Sequence, residues 1–189
     1  VGNIILNGKG AHEGTPNSFP QAEGIYLDDN VSGIEITDNT IAGASGKGIY
    51  IHNTRNIVLK NNTFFDNGVQ LRMAHDNLGY PIRNTTVTDN IFFSKEADQF
   101  TSFVSSVKDD LREMGTFDRN HYSRPIDDVE TIMTQKHLSS GRETDYFDLA
   151  GWKKEMGKDQ SSNKSPINIP AYEIISMSNS NLYAHGSYN

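Results

Sequence analysis

The chain of 189 residues has no cysteine and no apolar run long enough to cross a membrane. The lack of cysteine excludes a disulfide framework and any zinc site built on cysteine. Hydrophobic residues make up only 35% of the chain and there are 16 glycines, a composition that favours many turns and few long helices. The formal net charge of −7 argues against a nucleic-acid-binding surface, and it is compatible with small or uncharged polymeric substrates.

Asparagine recurs at one phase of an internal repeat. Each complete copy has an apolar residue three positions before the asparagine and an apolar or aromatic residue two positions after it. The shortest interval, from Asn39 to Asn62, is 23 residues, and the longer intervals carry insertions. The asparagines of the repeat are Asn3, Asn39, Asn62, Asn90 and Asn120.

One repeat unit holds three short strands, which the pattern places at residues 48–51, 56–59 and 63–65. Strands this short cannot bury a face alone, so the copies have to stack in parallel at a spacing of about 4.8 Å. The asparagines then superpose at one turn, where asparagine tolerates left-handed backbone dihedrals and its amide can bond to the next copy. The repeat therefore predicts an all-β parallel β-helix with an asparagine ladder, and an antiparallel β-sandwich with Asn-rich turns is the alternative. The residues expected to stack along the wall after the ladder are Ile5, Ile41, Phe64, Phe92 and Tyr122.

Over residues 1–125 this pattern resembles the right-handed parallel β-helix of the pectate-lyase-like superfamily. The resemblance implies a secreted, periplasmic or cell-surface protein that acts on a polysaccharide or oligosaccharide. Residues 1–6 already have the form of the inside of a repeat and not of a signal peptide. We therefore expect further coils of the same protein on the N-terminal side.

The repeat fades after Asn120, and residues 126–189 form a C-terminal segment of another kind. Residues 124–147 are polar and predict irregular structure that packs on the β-helix. Residues 165–189 predict an extended tail.

A helix is predicted at about residues 149–156, with Asp148 as the N-cap and Gly157 as the stop. The residues on the face expected to pack against the coils are Leu149, Trp152 and Met156. Residues 147–162 are similar to a Leu-x-x-Trp…Gly-x-Asp-x-x-Ser element that follows the last coils in bacterial carbohydrate-active β-helix proteins.

A strand with outward-pointing polar residues, at residues 24–29, recurs at residues 48–52 and 68–72. If these strands stack, their outward side chains form columns along the surface, an arrangement that matches a groove for an extended polymer. The expected columns are Asp28, His52 and Arg72, and beside them Tyr26, Tyr50 and Gln70. A purely structural charge ladder, contributing little stability per pair, is the alternative interpretation.

In the binding interpretation, Tyr26 and Tyr50 offer flat apolar faces for sugar rings. His52 and Arg72 orient the substrate. Insertions at residues 9–23 and 76–83 border this face, and long turns beside a sheet commonly build binding walls. The candidate substrate-binding residues of these walls are His12, Glu13 and His75.

The segment Tyr-Leu-Asp-Asp-Asn-Val-Ser-Gly at residues 26–33 is similar to a Tyr-Leu-Asp-Asp-x-x-Ser-Gly segment of β-helix glycoside hydrolases. By that resemblance, Asp28 or Asp29 is the candidate catalytic acid or base. Hydrolysis needs a second carboxyl group. The candidates are Asp29 itself, Glu13, Asp76 or a residue of the N-terminal coils.

Two other functions remain open on the sequence. A polysaccharide lyase would use a base and a cation that neutralises a uronate, with Arg72 or a Ca²⁺ ion held by Asp28 and Asp29 in that role. A non-catalytic glycan-binding or structural shaft would need neither. Because His52 and His75 have no metal-site spacing, no metal site is expected outside the lyase case, and no other cofactor is expected.

Overall fold

Three sheets hold the strands of residues 1–11 and 21–165, the part of the chain that the computed structural model describes. In spatial order, sheet A contains β1 (Ile4–Leu6), β4 (Thr40–Ala42), β7 (Thr63–Phe65), β10 (Ile91–Phe93), β13 (His121–Ser123) and β16 (Asn163–Lys164). Sheet B contains β2 (Ile25–Leu27), β5 (Lys47–His52), β8 (Val69–His75), β11 (Phe100–Ser106), β14 (Ile132–Leu138) and β15 (Gly141–Phe147). Sheet C contains β3 (Ser32–Thr37), β6 (Arg55–Lys60), β9 (Thr85–Thr88) and β12 (Gly115–Asp118).

The chain passes through sheets B, C and A in turn, so each full coil contains three short strands. Neighbouring coils pair in parallel, with Ile25 opposite Ile49 and Ile41 opposite Phe64. The predicted parallel β-helix is therefore confirmed, and the antiparallel sandwich is wrong. The described helices are a 3-10 turn at Leu111–Glu113 and α1 at Leu149–Met156.

The predicted asparagine ladder runs along one turn of the coils. The Nδ2 atom of Asn39 donates to Oδ1 of Asn62 at 2.8 Å, and Nδ2 of Asn62 donates to Oδ1 of Asn90 at 3.0 Å. The backbone N–H of each asparagine donates to the same oxygen as its side chain, at 3.0 Å in both steps. The side chains thus satisfy buried backbone groups at the bend, where strand pairing stops.

The left-handed residue of each ladder turn is the one before the asparagine, and the prediction that the ladder asparagines adopt these dihedrals is wrong. Because the bend is made one residue earlier, the N–H and the side chain of the ladder residue both face the next coil. The left-handed residues at these turns are Gly2 (φ 68°), Asp38 (φ 60°), Asn61 (φ 56°), Asp89 (φ 59°) and Arg119 (φ 52°).

The residues two positions after the ladder form an internal wall, as predicted. The ring centroids of Phe64 and Phe92 lie 5.4 Å apart, and those of Phe92 and Tyr122 are also 5.4 Å apart. Both phenylalanines are fully buried. Aromatic pairs in contact each contribute about 0.5–1.5 kcal/mol beyond their burial.

Residues 124–147 were predicted to be irregular, but two strands of sheet B, β14 and β15, lie within them. Strand β14 pairs in parallel with β11, and β15 turns back to pair antiparallel with β14. The apolar alternation in β14 is weak because a threonine, Thr134, occupies a buried position next to the buried Ile132. This hairpin ends the sheet with an antiparallel edge strand.

Helix α1 has the predicted bounds and caps. Oδ1 of Asp148 accepts a hydrogen bond from the Gly151 N–H at 2.7 Å, and Gly157 is left-handed with φ 69°. The expected packing face is also confirmed, since Leu149 and Trp152 are buried.

The segment after α1 closes the C-terminal end of the ladder. The Asn120 N–H donates to Oγ of Ser162 at 2.8 Å, and Nδ2 of Asn120 donates to Oδ1 of Asp159 at 2.9 Å. Oδ2 of Asp159 accepts from Nε1 of Trp152 at 2.7 Å. The tryptophan, aspartate and serine of the element at residues 147–162 therefore form one buried cluster on the last coil.

Two groups of predicted residues lie outside the described residues. His12 and Glu13 belong to residues 12–20, and the predicted tail beyond residue 165 belongs to residues 166–189.

Candidate functional site

The outward column of sheet B contains Tyr26, Tyr50 and Arg72, which lie opposite one another on β2, β5 and β8. The predicted columns placed Gln70 beside the tyrosines and Arg72 beside His52, and this register is wrong by two residues. The residue of β8 opposite His52 is an alanine.

The predicted register is wrong because it treats Gly68 as the equivalent of Gly48. Gly68 belongs to the turn before β8, whereas Gly48 lies within β5. Gln70 is buried, and its Nε2 donates to the Asn67 carbonyl at 2.8 Å. Gln70 therefore stabilises that turn through a buried hydrogen bond, and its side chain does not lie on the outer face.

Arg72 is engaged within the sheet. Its guanidinium carbon lies 3.7 Å from the ring centroid of Phe103. Nη1 donates to the carbonyls of Met73 at 2.6 Å and Phe103 at 3.1 Å, and Nη2 donates to Oγ of Ser105 at 2.6 Å. Burial lowers the pKa of Arg72 to about 10. These contacts direct its donors to its own strand and to the neighbouring strand β11.

The rings of Tyr26 and Tyr50 stack on each other, with centroids 4.9 Å apart and planes inclined by 11°. The guanidinium of Arg72 lies 5.7 Å from the Tyr50 centroid on the following strand. Tyr50 thus has a neighbour on both sides along the column. Tyr26 lies on the edge strand of the described sheet and is 47% exposed.

Asp28 and Asp29 converge on one imidazole nitrogen. Nδ1 of His52 lies 3.0 Å from Oδ1 of Asp28 and 3.2 Å from Oδ1 of Asp29. Strand β2 ends at residue 27, so both aspartates lie in the turn and are free of the strand alternation that would separate them. The Tyr26 hydroxyl donates to the same Asp28 oxygen at 2.8 Å.

A third carboxylate, Asp76, approaches from the insertion after β8. Its Oδ2 lies 3.7 Å from Nε2 of His52. Nδ2 of Asn53 donates to Oδ1 of Asp29 at 2.7 Å and to Oδ1 of Asp76 at 2.8 Å. We call the residues Asp28, Asp29, His52 and Asp76 the acidic cluster.

Hydrogen bonds keep part of the acidic cluster ionised. The pKa of Asp28 is lowered by the contact with His52 first, and then by the Asp29 N–H and the Tyr26 hydroxyl. Burial alone would raise the pKa of Asp76, but the Leu78 N–H and the Asn53 amide outweigh it, so this pKa is also lowered. Asp28 and Asp76 are therefore anionic at neutral pH.

The proton of the Tyr26 hydroxyl is held firmly. Burial raises its pKa, and the hydrogen bond to Asp28 and the negative charge of that carboxylate raise it further. Tyr26 therefore acts here as a hydrogen-bond donor and not as a base.

Asp28, Asp29 and His52 also have the donor types of a cation site. One atom from each lies within 4.8 Å of the others. An imidazole and two carboxylates could together hold a divalent metal ion.

His75 does not reach the outer face. Its side chain has no exposed surface, and Nε2 lies 2.8 Å from Oγ of Ser106 and 3.2 Å from Oδ1 of Asp110. Its Nδ1 accepts from the Ile82 N–H at 3.2 Å. The expectation that His75 binds substrate is wrong, because β8 carries this residue into the interior instead of releasing it to a loop.

The insertion at residues 76–83 forms a wall beside the acidic cluster, as its position predicted. The Tyr80 N–H donates to Oδ1 of Asn30 at 3.0 Å, and the guanidinium carbon of Arg55 lies 4.3 Å from the Tyr80 ring centroid. The insertion thus reaches from the third described strand of sheet B back to the turn after β2. Leu78 is 83% exposed at its tip.

A family model for the right-handed beta helix region matches residues 2–107, more than half of the chain. The chain belongs to this right-handed β-helix family. No curated protein and no solved structure matches the chain. The matched residues include the acidic cluster and both tyrosines.

The acidic cluster of this β-helix was only partly accessible to sequence reasoning. Asp28, Asp29 and His52 were identified, and Asp76 was recognised as a possible second carboxylate. Asn53 was missed as a link between them. The available signal was its position directly after the His52 strand, at the turn from which Asp29 and Asp76 also project.

Other features of the β-helix lie apart from this cluster. A cleft of about 480 Å³ lies beside the 3-10 turn, the β14–β15 hairpin and α1. The residues lining the cleft are Asp109, Asp110, Leu111, Arg112, Glu113, Lys136, Asp145 and Met156.

Within residues 1–11 and 21–165, no helix has the length and apolar character needed to cross a membrane.

Proposed function

We propose that this right-handed β-helix is a glycoside hydrolase in which Asp28 and Asp29 are the reacting carboxyl groups. The observation that carries the proposal is their shared contact with Nδ1 of His52, which holds two carboxylates together at the surface. Asp28 is 59% exposed and Asp29 is 45% exposed, so a polymer can reach both.

The spacing and ionisation of the pair suggest the role of each group. One oxygen of Asp28 and one of Asp29 lie within 4.8 Å of each other, which is closer than the gap of about 6.5–9.5 Å in inverting enzymes, so the proposed mechanism is a retaining one. Asp28, with its lowered pKa, suits the nucleophile. Asp29 would donate a proton to the leaving oxygen and then accept one from water.

The surroundings of the pair suit an extended glycan. Tyr26 is 47% exposed, and the exposed part of its side chain offers aromatic surface to a sugar next to Asp28. The wall formed by Leu78 and Tyr80 offers apolar surface on the other side of the acidic cluster. In this proposal His52 orients the carboxylates, and Arg72 and Tyr50 support the sheet beneath the substrate.

Charge favours a glycan without uronate groups over the substrate of a lyase. A lyase has to neutralise a uronate carboxylate, but the donors of Arg72 are engaged within sheet B. Nζ of Lys47 is paired with Glu23 at 3.0 Å. The anionic carboxylates of Asp28 and Asp76 beside His52 would repel a polyanion, so a neutral polysaccharide fits this face better.

Two further proposals accompany this activity. A polysaccharide substrate fits a secreted, periplasmic or cell-surface protein. The edge strands β1, β2 and β3 each have a parallel neighbour on one side within the described sheets, and a further coil of the same protein is the partner that fits the other side.

The experiment that tests the proposed function is incubation with a panel of neutral and uronate-containing polysaccharides. Hydrolysis predicts new reducing ends from a neutral member without new ultraviolet absorbance. Absorbance from unsaturated products would show a lyase instead. Glycan binding without either signal would show a binding module and would overturn the proposal.

A further inference from the structure

Asn53 links two of the carboxylates without adding charge. Its side-chain N–H groups donate to Oδ1 of Asp29 at 2.7 Å and to Oδ1 of Asp76 at 2.8 Å, so both donors of the amide are used. Its Oδ1 accepts from the Asp76 N–H at 2.9 Å. Asn53 is fully buried, so water does not compete for these bonds.

The backbone and the insertion fix the position of this amide. Asn53 lies between β5 and β6 with φ 48°, a left-handed conformation that asparagine tolerates better than most residues. Gly79 packs on it so closely that a Cβ at residue 79 would lie 2.7 Å from the Asn53 Cβ. The amide therefore has little room to move.

An amide is suited to this role for a chemical reason. A lysine or arginine at residue 53 would neutralise the carboxylates, and an aspartate would repel them. The two donors of a neutral amide hold Oδ1 of Asp29 and Oδ1 of Asp76. His52 contacts the same oxygen of Asp29 but the other oxygen of Asp76, so Oδ2 of Asp29 is left for the substrate. It thereby sets the distance between groups that belong to different coils.

We propose that Asn53 is the positioning residue of the site, fixing the carboxylates of Asp29 and Asp76 relative to each other and to His52. The proposal rests on the hydrolase function for its effect on catalysis, but not for its effect on the carboxylates. Asp76 thereby becomes a fixed part of the site, held at the base of the wall. Its carboxylate stabilises positive charge that develops at the sugar ring during bond cleavage.

The test uses two substitutions at residue 53. Asn53→Asp keeps the shape and the oxygen that accepts from Asp76 but replaces the donors with a charged oxygen. Asn53→Gly keeps the left-handed backbone without strain and removes the side chain. The matched control is Asn61→Gly, because Asn61 is exposed and also left-handed, with φ 56°.

The first readout is the pKa of Asp76, followed by carboxyl-carbon NMR titration. Both substitutions at residue 53 should raise this pKa, one by adding a like charge and the other by removing a donor. The control should leave it unchanged. An unchanged Asp76 titration in Asn53→Asp overturns the positioning role, whether or not the protein hydrolyses any glycan.

The second readout is the kinetics on the glycan that the wild-type protein cleaves. A positioning role predicts that kcat falls about tenfold or more in Asn53→Asp, with KM changed by less than about threefold. The acidic limb of the pH–rate profile should shift with the Asp76 titration. A titration shift with unchanged kcat would overturn the catalytic part of the proposal, and absence of wild-type turnover would instead refute the hydrolase function.

Discussion

Nδ1 of His52 lies 3.0 Å from Oδ1 of Asp28, on the neighbouring coil. This contact is the first cause of the lowered pKa of Asp28. A histidine on one coil thus lowers the pKa of a carboxylate on the preceding coil. The stacking of the coils, set by the asparagine ladder, determines whether the two residues meet.

Replacing the histidine should make Asp28 less acidic. In His52→Gln the pKa of Asp28 should rise towards its ordinary value while staying below it, because the Asp29 N–H and the Tyr26 hydroxyl still contact the carboxylate. Carboxyl-carbon NMR titration measures this shift. Asp89, whose pKa is lowered mainly by Arg119, serves as the internal control and should titrate as before. An unchanged pKa of Asp28 in His52→Gln would show that the contact with His52 does not lower this pKa.

Acid should destabilise the protein. Aspartates whose folded pKa is lowered contribute stability above the unfolded pKa of about 3.9, and this contribution is lost as the pH falls through the lower, folded pKa. Burial also lowers the pKa of His75 and His121, so the unfolded chain binds protons first as the pH falls below about 6.5. Both effects make the folded protein less stable as the pH falls. The aspartates with a lowered pKa are Asp28, Asp76, Asp89, Asp110 and Asp118.

Urea unfolding at pH 7, 5 and 3 measures this dependence. The free energy of unfolding should decrease at each step. Equal values at pH 7 and pH 3 would contradict the ionisation pattern described above.

A side chain at Gly48 should disrupt the interior of the second full coil. A Cβ there would lie 2.8 Å from Cδ1 of Phe64 and 2.9 Å from the Gln70 carbonyl oxygen. Gly48→Ala should lower the free energy of unfolding by about 1–3 kcal/mol, as overpacking does in other cores. In the control Gly8→Ala, the new Cβ would lie at ordinary contact distance, 3.5 Å from the Ala22 Cβ, and stability should change little. Equal effects of the two substitutions would argue against close coil packing at Gly48.

The buried carboxylate of Asp159 should stabilise the C-terminal end of the coils. Asp159→Asn places an amide N–H opposite Nε1 of Trp152 and the Tyr122 hydroxyl, both of which now donate to Oδ2. The loss of two acceptor contacts should cost about 1–3 kcal/mol. Trp152 is the single tryptophan and is 1% exposed, so its fluorescence reports the unfolding transition.

The control for this substitution is Asp98→Asn, at an exposed carboxylate. Its unfolding midpoint should match that of the wild-type protein. If Asp159→Asn also matched the wild-type protein, the proposed closure of the ladder by Asp159 would be wrong.

The architecture could be predicted from the sequence because its signals are local and repeated. The phase of Asn39, Asn62 and Asn90 predicted the ladder, and Asp148 and Gly157 predicted both ends of α1. In each case a short-range pattern of residue types specifies the backbone geometry.

The site could be predicted less fully because it depends on register and on turns. Two glycines of similar context, Gly48 and Gly68, gave a shift of two residues, which put Arg72 beside the wrong neighbour. Spacing alone could not reveal that His75 points inward. Asp29, Asn53 and Asp76 lie in three turns that are distant in sequence, so their contacts depend on how the coils stack and not on a local pattern alone.

The most direct test of the central claim compares Asp28→Asn and Asp29→Asn with Glu35→Gln. Glu35 is an exposed carboxylate on sheet C, away from the face that carries Tyr26. The measurement is the release of reducing ends from the glycan that the wild-type protein cleaves, with circular dichroism to verify the fold. We predict that both aspartate variants lose turnover while folded and that Glu35→Gln retains it. Full activity in both folded aspartate variants would contradict the assignment of this pair as the reacting carboxyl groups.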